Sequence, residues 1–157
     1  MPTDNEFMRQ AIDLATTKMQ EGHGGPFGAI IVRDGVIVAH GFNRVTSSLD
    51  PTAHAEIDAI RKACQLLETF RLADCEIFVN CEPCPMCLAA LYWAGIHKIS
   101  YAATRKDAAA IGFADDLIYD EISKPLSERS IPMTQLLREE ALASFMAWQE
   151  NDKKIVY

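Results

Sequence analysis

Residue types that bind zinc occur in two short segments of the sequence. His54 and Glu56 stand two apart in the first segment, and Cys84 and Cys87 stand three apart in the second. Imidazole nitrogen and thiolate sulfur are common zinc ligands, and one histidine with two cysteines leaves the fourth tetrahedral position open for water. An open position is typical of a catalytic zinc, because the bound water becomes acidic enough to act as a nucleophile near neutral pH.

Glu56 is the candidate for moving protons. It lies four residues before Ile60, near the apolar stripe of a predicted helix, where a carboxylate without a task would be costly to bury. A carboxylate beside a zinc-bound water can accept its proton and return it to the substrate. We therefore predict one zinc ion per chain held by His54, Cys84 and Cys87, with Glu56 as the catalytic residue.

Both segments are predicted to lie at the N-termini of helices. Asp50 and Pro51 suit the N-cap and first position of a helix over about residues 52–68. A second helix is predicted from about Cys84 to Ala94. Residues three apart share one helical face, and the positive end of the helix dipole favours thiolates, which are the metal-binding form of cysteine.

Other interpretations of the cysteines remain open. Cys84 and Cys87 have the spacing of a thioredoxin-like redox pair, although that motif does not require a histidine and a glutamate elsewhere. Cys81 extends the spacing toward an iron–sulfur pattern, but the further cysteine that such clusters need does not follow. Cys81 is also a candidate fourth ligand of a structural zinc. Cys64 and Cys75 are predicted to be small core residues.

The composition narrows the class of protein. A chain of 157 residues suits one domain, residues 1–157. The net charge is −7 without any block rich in Lys or Arg, so nucleic acid is a disfavoured partner. No apolar run approaches the roughly 20 residues that a membrane helix needs, and the first ten residues lack the apolar core of a secretory signal. Because five cysteines accompany no such signal, we expect a cytoplasmic protein.

Helices and strands alternate in the predicted secondary structure. Thr3 and Glu6 match a capping box that begins the first helix, and Arg33-Asp34-Gly35 matches a hairpin turn. Strand–helix–strand steps favour a layered α/β fold with a partly parallel sheet. The predicted helices are 3–20, short pieces in 108–122, and 134–150; the predicted strands are 27–32, 36–42, 75–80 and 97–103, with a loop over 125–132.

The two zinc-binding segments together resemble the signature of the cytidine deaminase-like superfamily, whose nucleobase deaminases combine H-x-E with P-C-x-x-C. Within that superfamily the sequence is similar, from end to end, to the small bacterial guanine deaminases. The similarity extends beyond the metal motifs to residues 24–29, 50–56 and 112–119 and to the C-terminal Tyr157.

The resemblance implies a three-layer α-β-α sandwich around a five-stranded mixed sheet. It also implies hydrolytic deamination of guanine to xanthine and ammonia, in purine catabolism or salvage. Guanosine, cytosine and transfer-RNA adenosine are alternative substrates, because the chemistry at zinc is shared across the superfamily. A non-catalytic protein with a structural zinc is a further alternative, but it gives Glu56 no proton to move.

Substrate contacts are also implied by the resemblance. Asn43 matches a position that hydrogen-bonds the base, and Phe27 supplies an apolar wall. Asp115 is the candidate for selecting guanine, because a carboxylate accepts hydrogen bonds from purine N–H groups; Asp116 is its alternate, since the two acids are adjacent. The resemblance also implies a homodimer. The C-terminal segment with Tyr157 is expected to close an active site, either that of its own subunit or that of the neighbouring one.

Overall fold

The computed structural model describes residues 2–157, which form an α/β structure with a mixed sheet. Helices α1 to α7 and strands β1 to β4 follow one another in the order α1 (Asp4–Gln20), β1 (Gly28–Arg33), β2 (Val36–Phe42), α2 (Val45–Ser48), α3 (Ala55–Leu66), β3 (Cys75–Cys81), α4 (Pro85–Ala94), β4 (Lys98–Ala103), α5 (Arg105–Ala110), α6 (Asp116–Ser123), a 3₁₀ turn (Leu126–Glu128) and α7 (Arg138–Glu150).

The first helix and the first hairpin form where the sequence predicts them. The Thr3 hydroxyl accepts a hydrogen bond from the Glu6 amide, and the Glu6 carboxylate accepts one from the Thr3 amide, which completes the capping box of α1. β1 and β2 pair in antiparallel fashion around Asp34 and Gly35, which have φ angles of 52° and 74°. Two consecutive positive φ angles are typical of the turn that joins tightly twisted hairpin strands.

The sheet separates two apolar clusters. Its strand order is β2-β1-β3-β4, with β1 antiparallel to both β2 and β3, and with β4 parallel to β3. Ile30 and Val32 of β1 pack with Phe7 and Ala11 of α1, whereas the alternate residue Ile31 belongs to the cluster that contains α3 and α4. Because successive strand residues point to opposite faces, helices cover both faces of the sheet, as a three-layer sandwich requires.

The prediction of five strands is wrong: the sheet formed by residues 2–157 has four. After β4 the chain enters α5 directly, because Thr104 and Asp107 form a second capping box. Residues 132–137, in the loop before α7, form neither helix nor strand. A strand needs a neighbouring backbone ladder, and residues 132–137 take part in none.

Two predicted helix starts are also wrong. Helix α3 begins at Ala55 rather than near residue 52, because the Asp50 carboxylate instead accepts hydrogen bonds from the Thr52 amide (2.8 Å) and hydroxyl (2.7 Å). Such an Asx turn is a local alternative to helix capping. Helix α7 begins at Arg138 rather than near residue 134, after Leu137 in the left-handed conformation (φ 50°).

The chain divides into two compact units, the first ending at Ile118 and the second spanning Tyr119–Tyr157. The first unit contains the whole sheet and helices α1 to α5, and the second contains the 3₁₀ turn and α7. That residues 1–157 act as a single deaminase domain stays a prediction. Within residues 2–157, no helix combines the length and the apolar character needed to cross a bilayer.

Candidate metal centre and active-site pocket

The start of α3 is seated closely against β2. A Cβ atom on Gly41 would lie 2.1 Å from the carbonyl oxygen of Ala55 and 2.5 Å from the amide nitrogen of Ala59. Both distances are far shorter than a van der Waals contact, so a side chain at position 41 would push the helix away from the strand. This close approach fixes His54, the N-cap residue of α3, and Glu56 in its first turn.

Helix α4 presents the two cysteines from its first turn. Cys84 is the N-cap residue, and its sulfur accepts a hydrogen bond from the Cys87 amide at 3.5 Å. Pro85 occupies the first helical position, where its missing N–H group is not needed and its fixed φ angle suits the helix. The sulfur atoms of Cys84 and Cys87 therefore meet at the helix N-terminus, as the sequence predicts.

His54, Cys84 and Cys87 come together in a geometry that suits zinc. The Nδ1 atom of His54 lies 3.5 Å from the sulfur of each cysteine, and all three candidate ligand atoms lie within 4.8 Å of one another. Zn–S and Zn–N bonds of about 2.3 and 2.0 Å at a tetrahedral angle require a nitrogen–sulfur separation of about 3.5 Å. The donor set therefore fits one zinc ion with little rearrangement.

Cys81 does not join these three residues. Its sulfur lies 3.7 Å from the carbonyl oxygen of Thr104, and His54, Cys84 and Cys87 are the one group of three or more possible ligands found within residues 2–157. A fourth protein ligand and an iron–sulfur arrangement are both disfavoured by this placement. The donor set leaves one tetrahedral position for water or substrate.

A hydrogen bond between the side chains of Cys84 and Cys87 shifts their pKa values in opposite directions. The hydrogen bond from the Cys87 thiol, with a further contribution from His54, lowers the pKa of Cys84 to about 4. The same hydrogen bond, together with burial, raises the pKa of Cys87 well above its usual range. Zinc is bound by thiolates, so metal binding releases the thiol proton that this hydrogen bond uses.

Glu56 is buried beside the ligands, with only 7% of its surface exposed. Burial raises the pKa of its carboxyl group, and the neighbouring Cys84 acts in the same direction. A carboxyl group whose pKa is raised toward neutrality is suited to accept and return a proton at the working pH.

A partly open pocket contains Glu56 and Cys84 in its lining. Phe27 and Phe113 form an aromatic corner of this pocket, with ring centroids 4.8 Å apart and ring planes at 88°. Asp115 also lines it. The remaining lining residues are Gly28, Ala55, Val79, Asn80, Cys81, Glu82 and Ala108.

Residues 1–103 match the family described as the cytidine and deoxycytidylate deaminase zinc-binding region. The chain belongs to this family. The guanine deaminase of Bacillus subtilis (strain 168) is 52% identical over 151 residues, covering 96% of this chain and 97% of that protein. The X-ray structure of guanine deaminase from Bacillus subtilis superposes with a TM-score of 0.97 at 50% identity and covers 99% of both chains.

Two further relatives show the range of the family. The structure of guanine deaminase from Nitrosomonas europaea has a TM-score of 0.71 at 30% identity, covering 94% of this chain and 85% of that one. The tRNA-specific adenosine deaminase of Aquifex aeolicus (strain VF5) is 42% identical over 100 residues, which are 64% of this chain and 66% of that protein. The predicted cytidine deaminase-like fold and zinc-dependent deaminase class are therefore confirmed.

The structure separates the two candidate acids of this deaminase. Asp115 lines the pocket, and burial raises the pKa of its carboxyl group. Its Oδ1 atom is buried without a hydrogen-bond partner among residues 2–157. The neighbouring Asp116 is exposed, and its carboxylate accepts a hydrogen bond from the Leu117 amide at the start of α6. Only the first of the two acids offers an unused acceptor to the pocket.

Asn43 holds the pocket wall of the deaminase rather than lining the pocket itself. Its side-chain oxygen accepts hydrogen bonds from the amides of Gly25 (3.2 Å) and Val45 (3.1 Å), and its backbone amide donates to the carbonyl oxygen of Phe27. A direct contact between Asn43 and the base stays a prediction. So does a substrate contact from Tyr157, which belongs to the second unit.

Two polar residues near the pocket are not among the predicted site residues. The Asn80 carboxamide accepts from the Gly28 amide and donates to the Pro26 carbonyl oxygen, both at 2.9 Å, which fixes the chain on either side of Phe27. The Glu82 carboxylate accepts from the Arg105 amide at the start of α5. Their position at the end of a buried strand is the signal in the sequence that indicates a site.

Asp58 is a third residue that the sequence does not single out. It is 7% exposed, and its carboxylate accepts hydrogen bonds from Lys62 (2.6 Å), the Phe42 amide (3.3 Å) and Arg44 (3.4 Å). Since Phe42 and Arg44 flank Asn43 at the end of β2, Asp58 ties the helix of the metal ligand to the segment that supports the pocket wall.

Proposed function

We propose that this deaminase hydrolyses guanine to xanthine and ammonia. The observation that carries the proposal is a pocket in which a buried, partnerless oxygen of Asp115 accompanies Glu56 and Cys84. A carboxylate oxygen without a partner is a strong acceptor for the N–H groups of a purine. The extensive similarity to a guanine deaminase of Bacillus subtilis supports the same substrate.

The residues of this chain divide the work as follows. His54, Cys84 and Cys87 would hold zinc, which when bound would lower the pKa of a water molecule and so supply the nucleophile. Glu56 would accept a proton from the attacking water, return it to a ring nitrogen of the base, and then assist the departure of ammonia. Phe27 and Asp115 orient the base, so that the water oxygen replaces the exocyclic amine and the overall reaction consumes one water.

A homodimer completes the proposal. None of the residues from Tyr119 to Tyr157 is buried. A segment with this much exposed apolar surface is typical of a protein interface, and we place its C-terminal part, including Tyr157, over the active site of the neighbouring subunit. Its exposed large apolar side chains are Ile122, Leu126, Ile131, Met133, Leu136, Leu137, Phe145, Met146, Trp148, Ile155, Val156 and Tyr157.

The cytoplasm is the proposed location. All five cysteines are free, and the two that bind metal must stay reduced to serve as ligands. The acidic net charge of −7 also favours a small neutral purine over nucleic acid as the substrate.

Ammonia release by the zinc-loaded protein tests the proposed reaction. The panel consists of guanine, guanosine, cytosine, adenine and an adenosine-containing transfer-RNA stem-loop. We expect turnover of guanine, with the other compounds slow. Faster turnover of another compound would overturn the choice of substrate, and silence toward the whole panel in protein with one zinc per chain would contradict the proposed activity.

Substitution of the two neighbouring acids tests the role of Asp115. Asp115→Asn should raise the KM for guanine and leave the zinc content unchanged, because the amide presents donors where the base also has donors. Asp116→Asn is the matched control and should retain normal turnover. A defect confined to Asp116→Asn would transfer the proposed role to Asp116.

Removal of Ile155–Tyr157 tests the role of the C-terminus. The shortened chain should keep its zinc and its dimer while turnover of guanine weakens, and the mass in solution is measured by light scattering. Full turnover by the shortened protein would refute closure of the pocket by this segment. A monomeric full-length protein with full activity would refute the shared active site.

A further inference from the structure

Phe113 meets Phe27 at the aromatic corner of the pocket. The two rings are nearly perpendicular, at 88°, with centroids 4.8 Å apart. Phe27 is held by its backbone, since its amide donates to the Gly25 carbonyl oxygen and its carbonyl oxygen accepts from the Asn43 amide. The Phe113 amide donates to the Ala108 carbonyl oxygen, so each ring extends from a segment with its own backbone hydrogen bonds.

Gly25 provides the space that the two rings occupy. A Cβ atom at this position would lie 3.0 Å from Cζ of Phe113 and 3.2 Å from Cδ2 and Cε2 of Phe27. Such separations are shorter than ordinary carbon–carbon contacts. An alanine at position 25 would therefore force one or both rings to shift.

Perpendicular rings make a corner that suits a flat base. A planar heterocycle that stacks on one ring presents its edge to the face of the other, and both arrangements are favourable for aromatic pairs. A two-ring purine extends far enough to meet both walls, whereas a one-ring pyrimidine has less surface to place against the second wall. Glu56 and Asp115 line the same pocket and supply the polar contacts.

We infer that Phe113 is a specificity-determining residue, which together with Phe27 selects two-ring bases, and that Gly25 keeps this corner open. The inference rests on the proposed function and adds to it the basis on which purines are preferred to pyrimidines. Phe113 is 41% exposed, so its truncation removes a pocket wall without opening a cavity in the core.

Substitution of Phe113 provides the first test. Phe113→Ala should raise the KM for guanine about 10-fold, as loss of one base-stacking ring does, with kcat changed far less and one zinc per chain retained. Phe113→Tyr keeps the ring and should restore the KM. Leu117→Ala is the matched control, because Leu117 is similarly exposed and lies outside the pocket lining. Equal KM values for Phe113→Ala and Leu117→Ala would overturn the inference.

Gly25→Ala provides the second test, because it displaces the rings without removing either of them. We expect a higher KM for guanine in this variant, and a smaller effect when the same change is made in the Phe113→Ala protein. Equal effects in both backgrounds would show that Gly25 acts independently of the corner.

Calorimetric titration with unsubstituted purine and unsubstituted pyrimidine separates the inference from the proposed reaction. Wild-type protein should bind purine more tightly, and Phe113→Ala should reduce that preference about 10-fold. If the wild-type protein does not deaminate guanine, the proposed function fails, while the binding preference still decides the role of Phe113. An unchanged preference in an enzyme that does deaminate guanine would refute the inference alone.

Discussion

The helices that carry the candidate metal ligands differ from the last helix, α7, in what holds them in place. Cys84, Cys87 and Glu56 are all buried, and α3 and α4 pack on a sheet whose core side chains are fully enclosed. From Tyr119 onward no side chain is buried. The first region is therefore fixed by the chain itself, whereas the second exposes apolar surface that suits contact with another chain.

The proposed roles also divide along the chain: residues at the zinc site carry out the reaction, and later residues select the substrate. The candidate zinc ligands and Glu56 come from the starts of α3 and α4, where backbone geometry fixes the side chains within short segments. In the proposal, selectivity comes from Asp115 and Phe113, which lie in the connection between α5 and α6, and from the C-terminal unit. In this proposal the choice of substrate can change while the metal site stays the same.

Loss of a zinc ligand should have the largest effect on the buried region. Cys84→Ala removes one of three candidate ligands, so we expect zinc content and deamination to fall together. Turnover should fall by more than the roughly 10⁴-fold that loss of a proton-transfer group can cause. Zinc per chain is measured by atomic emission alongside ammonia release. Cys64→Ala is the matched control at a cysteine outside the ligand group. Full zinc occupancy in Cys84→Ala would contradict the assignment.

Removal of the proposed proton-transfer residue, Glu56, should cause the next largest loss of turnover. Glu56→Gln preserves shape but can neither accept nor return a proton, so turnover should fall about 10²- to 10⁴-fold while one zinc per chain remains. Single-turnover assays on the zinc-loaded variant provide the measurement. Near-normal turnover in metal-loaded Glu56→Gln would show that another group moves the proton.

The buried carboxylate of Asp58 should influence stability more than chemistry. Asp58→Asn weakens its interactions with Lys62 and Arg44, and we expect a loss of about 1–3 kcal/mol in the free energy of unfolding. Urea unfolding measures this loss, and Asp13→Asn on the exposed face of α1 is the control. Identical unfolding midpoints for the two variants would mean that Asp58 does not secure α3 against β2.

A smaller effect, on local stability, is expected in the second unit, Tyr119–Tyr157. Hydrogen bonds from Lys124 and from the amide and hydroxyl of Ser130 lower the pKa of Glu121 from 4.5 to about 2. Because the folded-state pKa is the lower one, these contacts stabilise the unit above about pH 4.5, and the stabilisation is lost as the pH falls toward 2. Glu121→Gln should therefore reduce protection of the Ser130 amide at pH 6.

Amide hydrogen exchange, followed for wild type and variant at several pH values, tests that expectation. The difference at Ser130 should shrink as the pH approaches 2, while the exposed Glu128→Gln control should behave as wild type throughout. A difference that is independent of pH would exclude the Glu121 carboxylate as its source.

Features encoded by neighbouring residues are the ones that the sequence predicts. The capping box of Thr3 and Glu6, the hairpin turn at Gly35 and the grouping of the zinc ligands depend on short spacings or on helix starts, and the structure contains all of them. The number of strands, by contrast, depends on pairing with a segment that is distant in the sequence, and residues 132–137 form no strand.

Site contacts between residues that are far apart in the sequence could not be predicted from the sequence. Asp58 contacts Phe42 and Arg44 across 16 and 14 residues, and the ring of Phe113 meets that of Phe27 across a far longer separation. Neither pairing has a periodic or spacing signal. Asp50 illustrates a local competition instead, because the same carboxylate can cap a helix or form an Asx turn, and the structure contains the turn.

X-ray absorption at the zinc edge of the purified, metal-loaded protein identifies the atoms bound to the metal. We expect a zinc shell of two sulfur atoms at about 2.3 Å and two nitrogen or oxygen atoms at about 2.0–2.1 Å. One of the lighter atoms should be His54 nitrogen and the other a replaceable water that changes when guanine is added. Three sulfur atoms in the shell, or a shell that guanine leaves unchanged, would mean a closed structural metal and would contradict the catalytic assignment.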